Sequence, residues 1–269
     1  MKKSSIFLSI IILCAGVFSC ASQENAGGWG TLSMQEQAKS GHWVSLPSNG
    51  QITIIGVSNR MVTRGSEIDA AKLDAARKVS LFRGVEGTVD TVNASGPRGF
   101  FDIVNVITEN LVYDKDYEKF VEGLKFDPEK DVYRTADAVF VQFKYNASMP
   151  PIQYEPSRKD GRPGWITSQN LPQFDGYITV VGIASKQRWF KDTVTKSTNA
   201  AIIKMIQEVS TTTYAGNLIR DSSSGGSTMV TDAIHTVSEG KLSEFLILEL
   251  YIKQDGTIYT LAIAKKVGN

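Results

Sequence analysis

Residue types able to carry out nucleophilic or acid–base chemistry are scarce in this 269-residue chain. Cys14 and Cys20 are the two cysteines, and His42 and His235 are the two histidines. A hydrolase needs a nucleophile with a base and an orienting group in reach, and no Gly-x-Ser-x-Gly elbow occurs. We expect His42 to be half-exposed at a strand edge and His235 to lie on a surface helix or loop. The sequence therefore predicts no catalytic residue and no enzyme; the hydrolase alternative requires one of these histidines to face a serine.

Metal and cofactor sites have equally little support. After Cys20 the chain offers no thiolate, and its two histidines do not form an HxxxH or HxH pair. The acidic clusters at 114–116 and 127–131 lack the spacing of a calcium loop, so we interpret them as solvated faces. Gly225 and Gly226 lack the Gly-Lys-Ser/Thr ending of a phosphate loop, which favours a flexible loop. We expect neither a metal nor a cofactor.

The overall charge of the chain argues against nucleic-acid binding. Lysine and arginine total 29 against 28 acidic residues, and the formal net charge is +1. A chain so close to neutral has no long-range electrostatic attraction for nucleic acid or for anionic lipid head groups. We therefore expect no nucleic-acid partner.

The N-terminus has the pattern of an export signal that ends at a cysteine. Lys2 and Lys3 precede an apolar run from Ile6 to Phe18, which is too short for a permanent membrane span. Ser19-Cys20 then resembles a lipobox, at which the thiol receives a diacylglyceryl group before cleavage, although Phe18 departs from the usual small residue. An ordinary signal peptide, cut nearby to leave a soluble protein, is the alternative.

This pattern predicts how the mature protein is held in the cell envelope. Residues 1–19 are a lipoprotein signal peptide, and residues 20–41, rich in Ser, Gln, Gly and Ala, are a lipidated flexible tether. The first partner is therefore membrane lipid, bound through acylated Cys20, because two acyl chains anchor stably where one does not. Ala21 and Ser22 include no acidic retention signal for the inner membrane, which favours the outer membrane.

The remainder of the chain contains an internal repeat of whole units. Residues 51–58 match residues 177–184 at an offset of 126, and a tryptophan in an extended stretch, Trp43 or Trp165, precedes each copy. The β-branched residues of both copies predict strands. Gly56 and Gly182 interrupt these strands at equivalent places, which indicates a bulge or a close backbone approach.

Helical and strand patterns complete each unit. Ser66 is expected to cap the first helix, whose buried stripe is Ala71, Ala75, Val79 and Phe82. Ile202, Ile206 and Val209 form the equivalent stripe of the second helix. Runs of apolar residues at 138–145, 245–252 and 257–264 predict the closing strands, the last two joined by a turn at Asp255-Gly256.

The predicted fold class is α+β, with two tandem small antiparallel or mixed sheets, each packed against a helix. The first unit spans residues 42–148 and the second spans residues 164–269. A linker rich in proline and glycine, residues 149–163, separates them.

The tandem order of tryptophan, strand with glycine, alanine-rich helix and closing hairpin resembles the Lpp-twenty family of outer-membrane lipoproteins. That family includes flagellum-associated lipoproteins. The second copy carries the resemblance at Pro163-Gly164-Trp165, residues 178–184, Ala200-Ala201 and Asp255-Gly256; the first carries it at Trp43, residues 52–58, Ala71, Ala75 and Ala76. The first copy departs at residues 112–134, which look like an added segment, and it has no closing Asp-Gly hairpin. The resemblance implies a surface or periplasmic structural lipoprotein without catalytic residues, of a family whose members sometimes assemble around envelope machinery.

Two functions follow from these patterns. The first is a structural or protein-interaction role in the cell envelope, through contact with envelope proteins or other copies of the chain. Its candidate interaction residues are Trp43, Trp165, Trp189 and Phe190, although Trp189 and Phe190 would be core residues if their segment folds back over the sheet. The alternative is a small-ligand or peptide carrier that uses the cleft between the two units, lined by Trp43 or Trp165.

Overall fold

The computed structural model of the chain describes residues 32–48, 50–95, 106–167, 171–209, 212–221 and 228–267. At 92–95, 106–108, 167, 212–221 and 228–235 the backbone alone is described. Cys20, the signal peptide and the glycine pair at 225–226 lie outside the described residues.

Helices and strands alternate along the chain. The helices are α1 (Met34–Lys39), α2 (Arg64–Arg83), α3 (Gly164–Thr167) and α4 (Phe190–Val209), with a 3-10 helix at Tyr117–Gly123. The strands are β1 (His42–Val44), β2 (Gln51–Asn59), β3 (Val85–Ser95), β4 (Val106–Tyr113), β5 (Val132–Arg134), β6 (Ala138–Asn146), β7 (Arg158–Lys159), β8 (Arg162–Pro163), β9 (Ile178–Ala184), β10 (Thr212–Asp221), β11 (Thr228–Ile252) and β12 (Ile258–Lys266).

These strands form antiparallel sheets. One sheet has the order β2-β6-β5, and a larger one has the order β4-β3-β11-β12-β9, with β1 and β10 also paired to β11. Strands β7 and β8 form a short separate hairpin. Helices and several antiparallel sheets together confirm the predicted α+β class.

Both predicted helices are present, with their apolar stripes facing a sheet. Helix α2 packs on β2 and α4 packs on β9. The stripe residues of α2 are buried as predicted. The predicted cap is wrong by three residues, since Thr63 caps α2 and its side-chain oxygen accepts the backbone N–H of Ser66.

The close backbone approach predicted at the two glycines is confirmed. A Cβ atom at Gly56 would overlap the carbonyl oxygen of Ala71 in α2, and one at Gly182 would overlap that of Ser197 in α4. Each helix therefore lies directly against a glycine of its strand, where any side chain would force the two apart.

A four-stranded ribbon joins the two halves of the chain, and the sequence patterns did not indicate it. We call β3, β4, β10 and residues 228–242 of β11 the ribbon; its order is β4-β3-β11-β10. Its central pair joins β3 of the first half to β11 of the second. The predicted helix or loop at His235 is wrong, because this residue lies within β11, opposite Tyr214.

The two halves also share their hydrophobic clusters. Ala75 of α2 and Leu248 of β11 belong to one cluster, while Ile202 of α4 and Val85 of β3 belong to another. Burial of each helix therefore depends on strands from both halves of the chain.

Candidate interaction surface

The two loops that connect each repeated strand to its helix lie beside each other at one end of the molecule. We call residues 60–64 and 185–191 together the loop end. The Asn59 side-chain oxygen, next to the first loop, accepts the backbone N–H of Lys191 in the second at 3.0 Å. Helix α2 runs from the loop end toward the ribbon, and its 20 residues span about 30 Å. The loop end and the ribbon thus occupy opposite ends.

A buried carboxylate fixes the first loop. Glu67 in the first turn of α2 has a side chain only 1% exposed. It accepts the backbone N–H of Met61 at 3.2 Å and the Nε–H groups of Arg60 and Arg134 at 2.6 and 3.2 Å. Burial acts to raise the pKa of Glu67, but the Met61 N–H and the two guanidinium groups outweigh it and hold that pKa below its ordinary value.

The second loop is fixed in the same way by a hydroxyl. Thr193 stands 126 residues after Glu67, and its side-chain oxygen accepts the backbone N–H of Gln187 at 3.0 Å. Gln187 itself stands 126 residues after Met61. One position of each helix therefore anchors one position of each loop, and this anchoring directs the following loop residues outward.

Large apolar side chains are exposed on both anchored loops. Val62 is fully exposed, Met61 is 45% exposed and Trp189 is 51% exposed. The Arg188 guanidinium lies 5.3 Å from the centre of the Trp189 ring, within the range of a cation–π contact. The adjacent Phe190 turns inward instead and packs against Phe140, with ring centres 5.4 Å apart. Of the four predicted interaction aromatics, Trp189 is the one on the surface.

Trp43 belongs to the core. It is 1% exposed and stacks on Phe140, with ring centres 4.2 Å apart and an interplanar angle of 12°. Trp43 is in β1, which pairs with β11 of the other half. This tryptophan therefore stabilises the junction of the halves and is too buried in this conformation to contact a protein partner.

Trp165 is also buried, in a polar cluster centred on Glu249 of β11. The Trp165 indole N–H donates to the Glu249 carboxylate, and His42 Nε2 lies 2.6 Å from the same oxygen. Burial, followed by the charge and hydrogen bond of Glu249, raises the pKa of Tyr154 above its ordinary value. The predicted half-exposed position of His42 is wrong, because Glu249 gives its ring a partner within the core.

The geometry of this cluster bears on the catalytic alternative. A histidine beside a carboxylate is the base-and-orienter pair of many hydrolases. Here the side chains of His42 and Glu249 are both 0% exposed, and the carboxylate also binds Trp165. The cluster joins β1, the linker region and β11, so its role in this structure is to hold these segments together. A lone acid in the apolar run Leu248-Glu249-Leu250 is the sequence signal that could have indicated it.

A second buried pair lies between α2 and its strand. Asp74 accepts the backbone N–H of Val57 at 2.9 Å and an N–H of Lys78 at 2.7 Å, and Lys78 also donates to the carbonyl of Ile55 at 2.6 Å. Burial opposes ionisation of Asp74, but the Lys78 charge and these bonds hold its pKa low. Across the described ranges, no three His, Cys, Asp or Glu side chains are grouped to hold a metal.

Two recesses open between the halves near the loop end. One, of about 660 Å³, is lined by Trp43, Phe140, Arg162, Phe190 and Lys253, among others. The other, of about 480 Å³, is lined by Arg60, Arg188, Trp189 and Phe190, among others. They share Phe190 and Lys253, so they form neighbouring parts of one depression that is large enough for a small ligand.

Comparison with known proteins gives no relative. No protein-family model, no curated protein and no solved structure matches the chain.

Proposed function

We propose that the chain is an envelope lipoprotein, anchored by acylated Cys20, whose folded part has a structural or protein-interaction role. Membership of the Lpp-twenty family belongs to this proposal and is supported by the tandem residue pattern alone. The outer membrane is the proposed location, because Ala21 and Ser22, directly after Cys20, include no acidic retention signal. Among the described helices, none has the length and apolar character needed to cross a membrane.

The observation that carries the interaction role is the pair of edges on the ribbon. Within the described strands, β4 pairs with β3 alone and β10 pairs with β11 alone. An edge strand presents a row of backbone N–H and C=O groups that another strand can pair with. The eight residues of β4 and the ten of β10 are long enough for such pairing. Two edges on one chain allow each copy to contact two neighbours.

The polar clusters support a role without catalysis. His42 and Glu249 are shielded from solvent, and Asp74 and Lys78 are used to join helix α2 to β2. Each group has a packing role that accounts for its burial, so a chemical role is not needed to explain it.

The depression between the halves favours a second candidate function, a carrier of a small ligand or peptide. Its walls combine the aromatic rings of Phe140 and Phe190 with the charged groups of Arg162 and Lys253. A small molecule that co-purifies with the protein in native mass spectrometry, and that Phe190→Ala releases, would favour this function over the first.

The anchor is tested by Cys20→Ser, with Cys14→Ser as the matched control. Loss of the thiol removes the acylation site, so we expect Cys20→Ser to leave the membrane fraction and to lack the diacylglyceryl mass on its N-terminal peptide. Cys14→Ser should keep both, because Cys14 lies within the leader. Unchanged membrane retention of Cys20→Ser, or an unmodified thiol on the native protein, would overturn the anchor.

The edge contact is tested by Val112→Lys. Val112 is 53% exposed on β4, and a lysine there would place a charge on the edge that hinders the pairing of another strand. We expect the dissociation constant for self-association, measured by sedimentation, to rise at least about tenfold. Leu73→Lys makes the same change at a 39% exposed site of α2 and should have no effect. A monomeric wild type, or equal effects of both variants, would contradict this contact.

A further inference from the structure

The loop end has an unusual composition for a chain of near-zero net charge. Its twelve residues include five cations, Arg60, Arg64, Lys186, Arg188 and Lys191, and no acidic residue. The overall charge of the chain predicts no attraction for anionic lipid. A local cluster of cations can still attract it, because screening limits the effect of a charge to about 10 Å and acids elsewhere on the protein are too distant to cancel the cluster. The loop end is therefore a positive surface on a neutral protein.

Nearby acids neutralise only part of this charge. Glu67 is buried beneath Arg60 and is shared with Arg134. Asp137 lines the recess that contains Arg188, and Asp192 is exposed in the first turn of α4. Lys253 also lines this recess and has its own acid, Asp255, at 2.6 Å. An excess of positive charge remains beside the exposed apolar residues.

We infer that the loop end docks on an anionic lipid surface, with Met61, Val62 and Trp189 entering the head-group layer. Tryptophan places an apolar ring and a polar N–H at the boundary between lipid and water, and the long side chains of arginine and lysine reach from apolar surroundings to head-group phosphates. Two loops anchored by Glu67 and Thr193 present these groups together.

The path of the chain into the fold agrees with this orientation. This inference rests on the proposed anchoring at Cys20 for its cellular setting. The Gly41 carbonyl accepts the backbone N–H of Ile252 at 2.8 Å, and Ile252 lines the recess that contains Arg188, so α1 ends beside the loop end. The twelve residues between Cys20 and Ser33 reach at most about 45 Å. The anchor and the loop end can therefore meet the same membrane, with the ribbon directed away from it.

The charge of the loop end also favours lipid over a second copy of the chain as its partner. A symmetric contact between two loop ends would bring two positive surfaces together, which is unfavourable. Head-group phosphates instead supply the negative charge that the surface lacks.

Binding to vesicles tests the inference without any acyl group. The protein is the mature chain from position 20 with Cys20→Ser, and Trp29→Phe removes a tryptophan that lies outside the described residues. Since Trp43 and Trp165 are buried, an emission change then reports on Trp189. With vesicles of equimolar phosphatidylglycerol and phosphatidylcholine we expect a blue shift that added salt reverses. Pure phosphatidylcholine should give little or no shift.

Paired variants assign binding to the surface. Lys186→Gln with Arg188→Gln should weaken partitioning by about fivefold per residue, and Val62→Ser should weaken it by about tenfold. Lys115→Gln with Lys125→Gln removes the same charge from exposed positions at the far end and should leave partitioning unchanged. All these side chains are at least partly exposed, so circular dichroism should show unchanged folding.

Each other outcome overturns the inference. Equal binding to both vesicle types would show that charge is not used, and equal weakening by both charge variants would place binding elsewhere. A Trp189 shift that follows protein concentration without vesicles would instead assign this surface to self-association. Failure of the Cys20 anchor would leave this test intact, because no lipidated thiol takes part in it.

Discussion

The two repeat units make the same hydrogen bond between helix and strand, but the donor lysine is buried in one unit and exposed to solvent in the other. Lys78 Nζ donates to the carbonyl of Ile55 at 2.6 Å, and Lys204 Nζ donates to the carbonyl of Val181 at 2.7 Å. Both donors and both acceptors are 126 residues apart. Lys78 is buried, whereas Lys204 is exposed. The repeat has preserved the contact while its surroundings have changed.

The difference arises from what covers each lysine. Lys78 shares a cavity of about 20 Å³ with Ser45 and with residues 245–250 of β11. Strand β11 thus closes over the first unit and removes water from its lysine, while the second lysine remains open to solvent. The covered lysine has Asp74 four residues earlier, and the exposed one has Ala200 there. A buried ammonium requires a counter-charge that a solvated one does not.

Removing that counter-charge should give the largest effect. Asp74→Ala leaves the Lys78 ammonium and the Val57 N–H buried without their carboxylate, so we expect a loss of about 3–5 kcal/mol in the free energy of unfolding. Ala200→Asp makes the reverse exchange at the equivalent position. Because an ion pair with the exposed Lys204 is solvated, this variant should change the free energy of unfolding by less than about 1 kcal/mol. Chemical denaturation of both variants at neutral pH measures the difference.

A rescue variant distinguishes loss of the charge partner from loss of packing. Asp74→Ala combined with Lys78→Met removes the buried charge altogether and should recover part of the lost stability. If Asp74→Ala changed the stability by no more than Ala200→Asp does, Lys78 would not be desolvated by β11, and the comparison would fail.

The sequence predicts the elements that depend on local pattern. Residues 52–57 are β-branched except at Gly56, and Ala71, Ala75 and Val79 recur at helical spacing, so strand, helix and their close approach are all readable. The same local rules do not indicate the burial of Asp74 and Lys78. Acid and base four residues apart on a helix normally form a surface pair, but β2 and the β11 strand of the distant half together bury this one.

Contacts between the halves account for the remaining misses. The sequence places His42 at the start of a short strand, where a histidine is normally half-exposed. Its burial depends on Glu249, which is more than two hundred residues away in sequence. The ribbon was missed for a related reason. Val85 and Val89 are buried on one face of β3, but Gly87 stands between them on that face and leaves the apolar alternation weak. Its partner β11 comes from the other unit, whereas the repeat suggested that each unit would form its own sheet.

The two loop anchors, Glu67 and Thr193, also differ between the repeat units, and their removal should have smaller effects. Glu67→Gln removes the negative charge that binds the Arg60 and Arg134 guanidinium groups and the Met61 N–H. We expect a loss of about 1–3 kcal/mol at neutral pH. Thr193→Val removes two neutral hydrogen bonds, one accepted from the Gln187 N–H and a longer one donated to the Trp189 carbonyl, and should lose about 1 kcal/mol.

The pH dependence of these losses separates the charged anchor from the neutral one. The pKa of Glu67 is lower in the folded protein than its ordinary value of 4.5, so the folded state favours the carboxylate. Its stabilisation is present above pH 4.5 and is lost as the pH falls through the lower, folded-state pKa. Denaturation series from neutral to acidic pH should therefore show the wild type and Glu67→Gln converging, because protonation removes the charge in the wild type too. The wild type and Thr193→Val should stay separated by a constant amount. If the stability of the wild type and of Glu67→Gln stayed separated by a constant amount as the pH falls, the charge of Glu67 would add nothing to its hydrogen bonds. The two loops would then be anchored by equivalent neutral contacts.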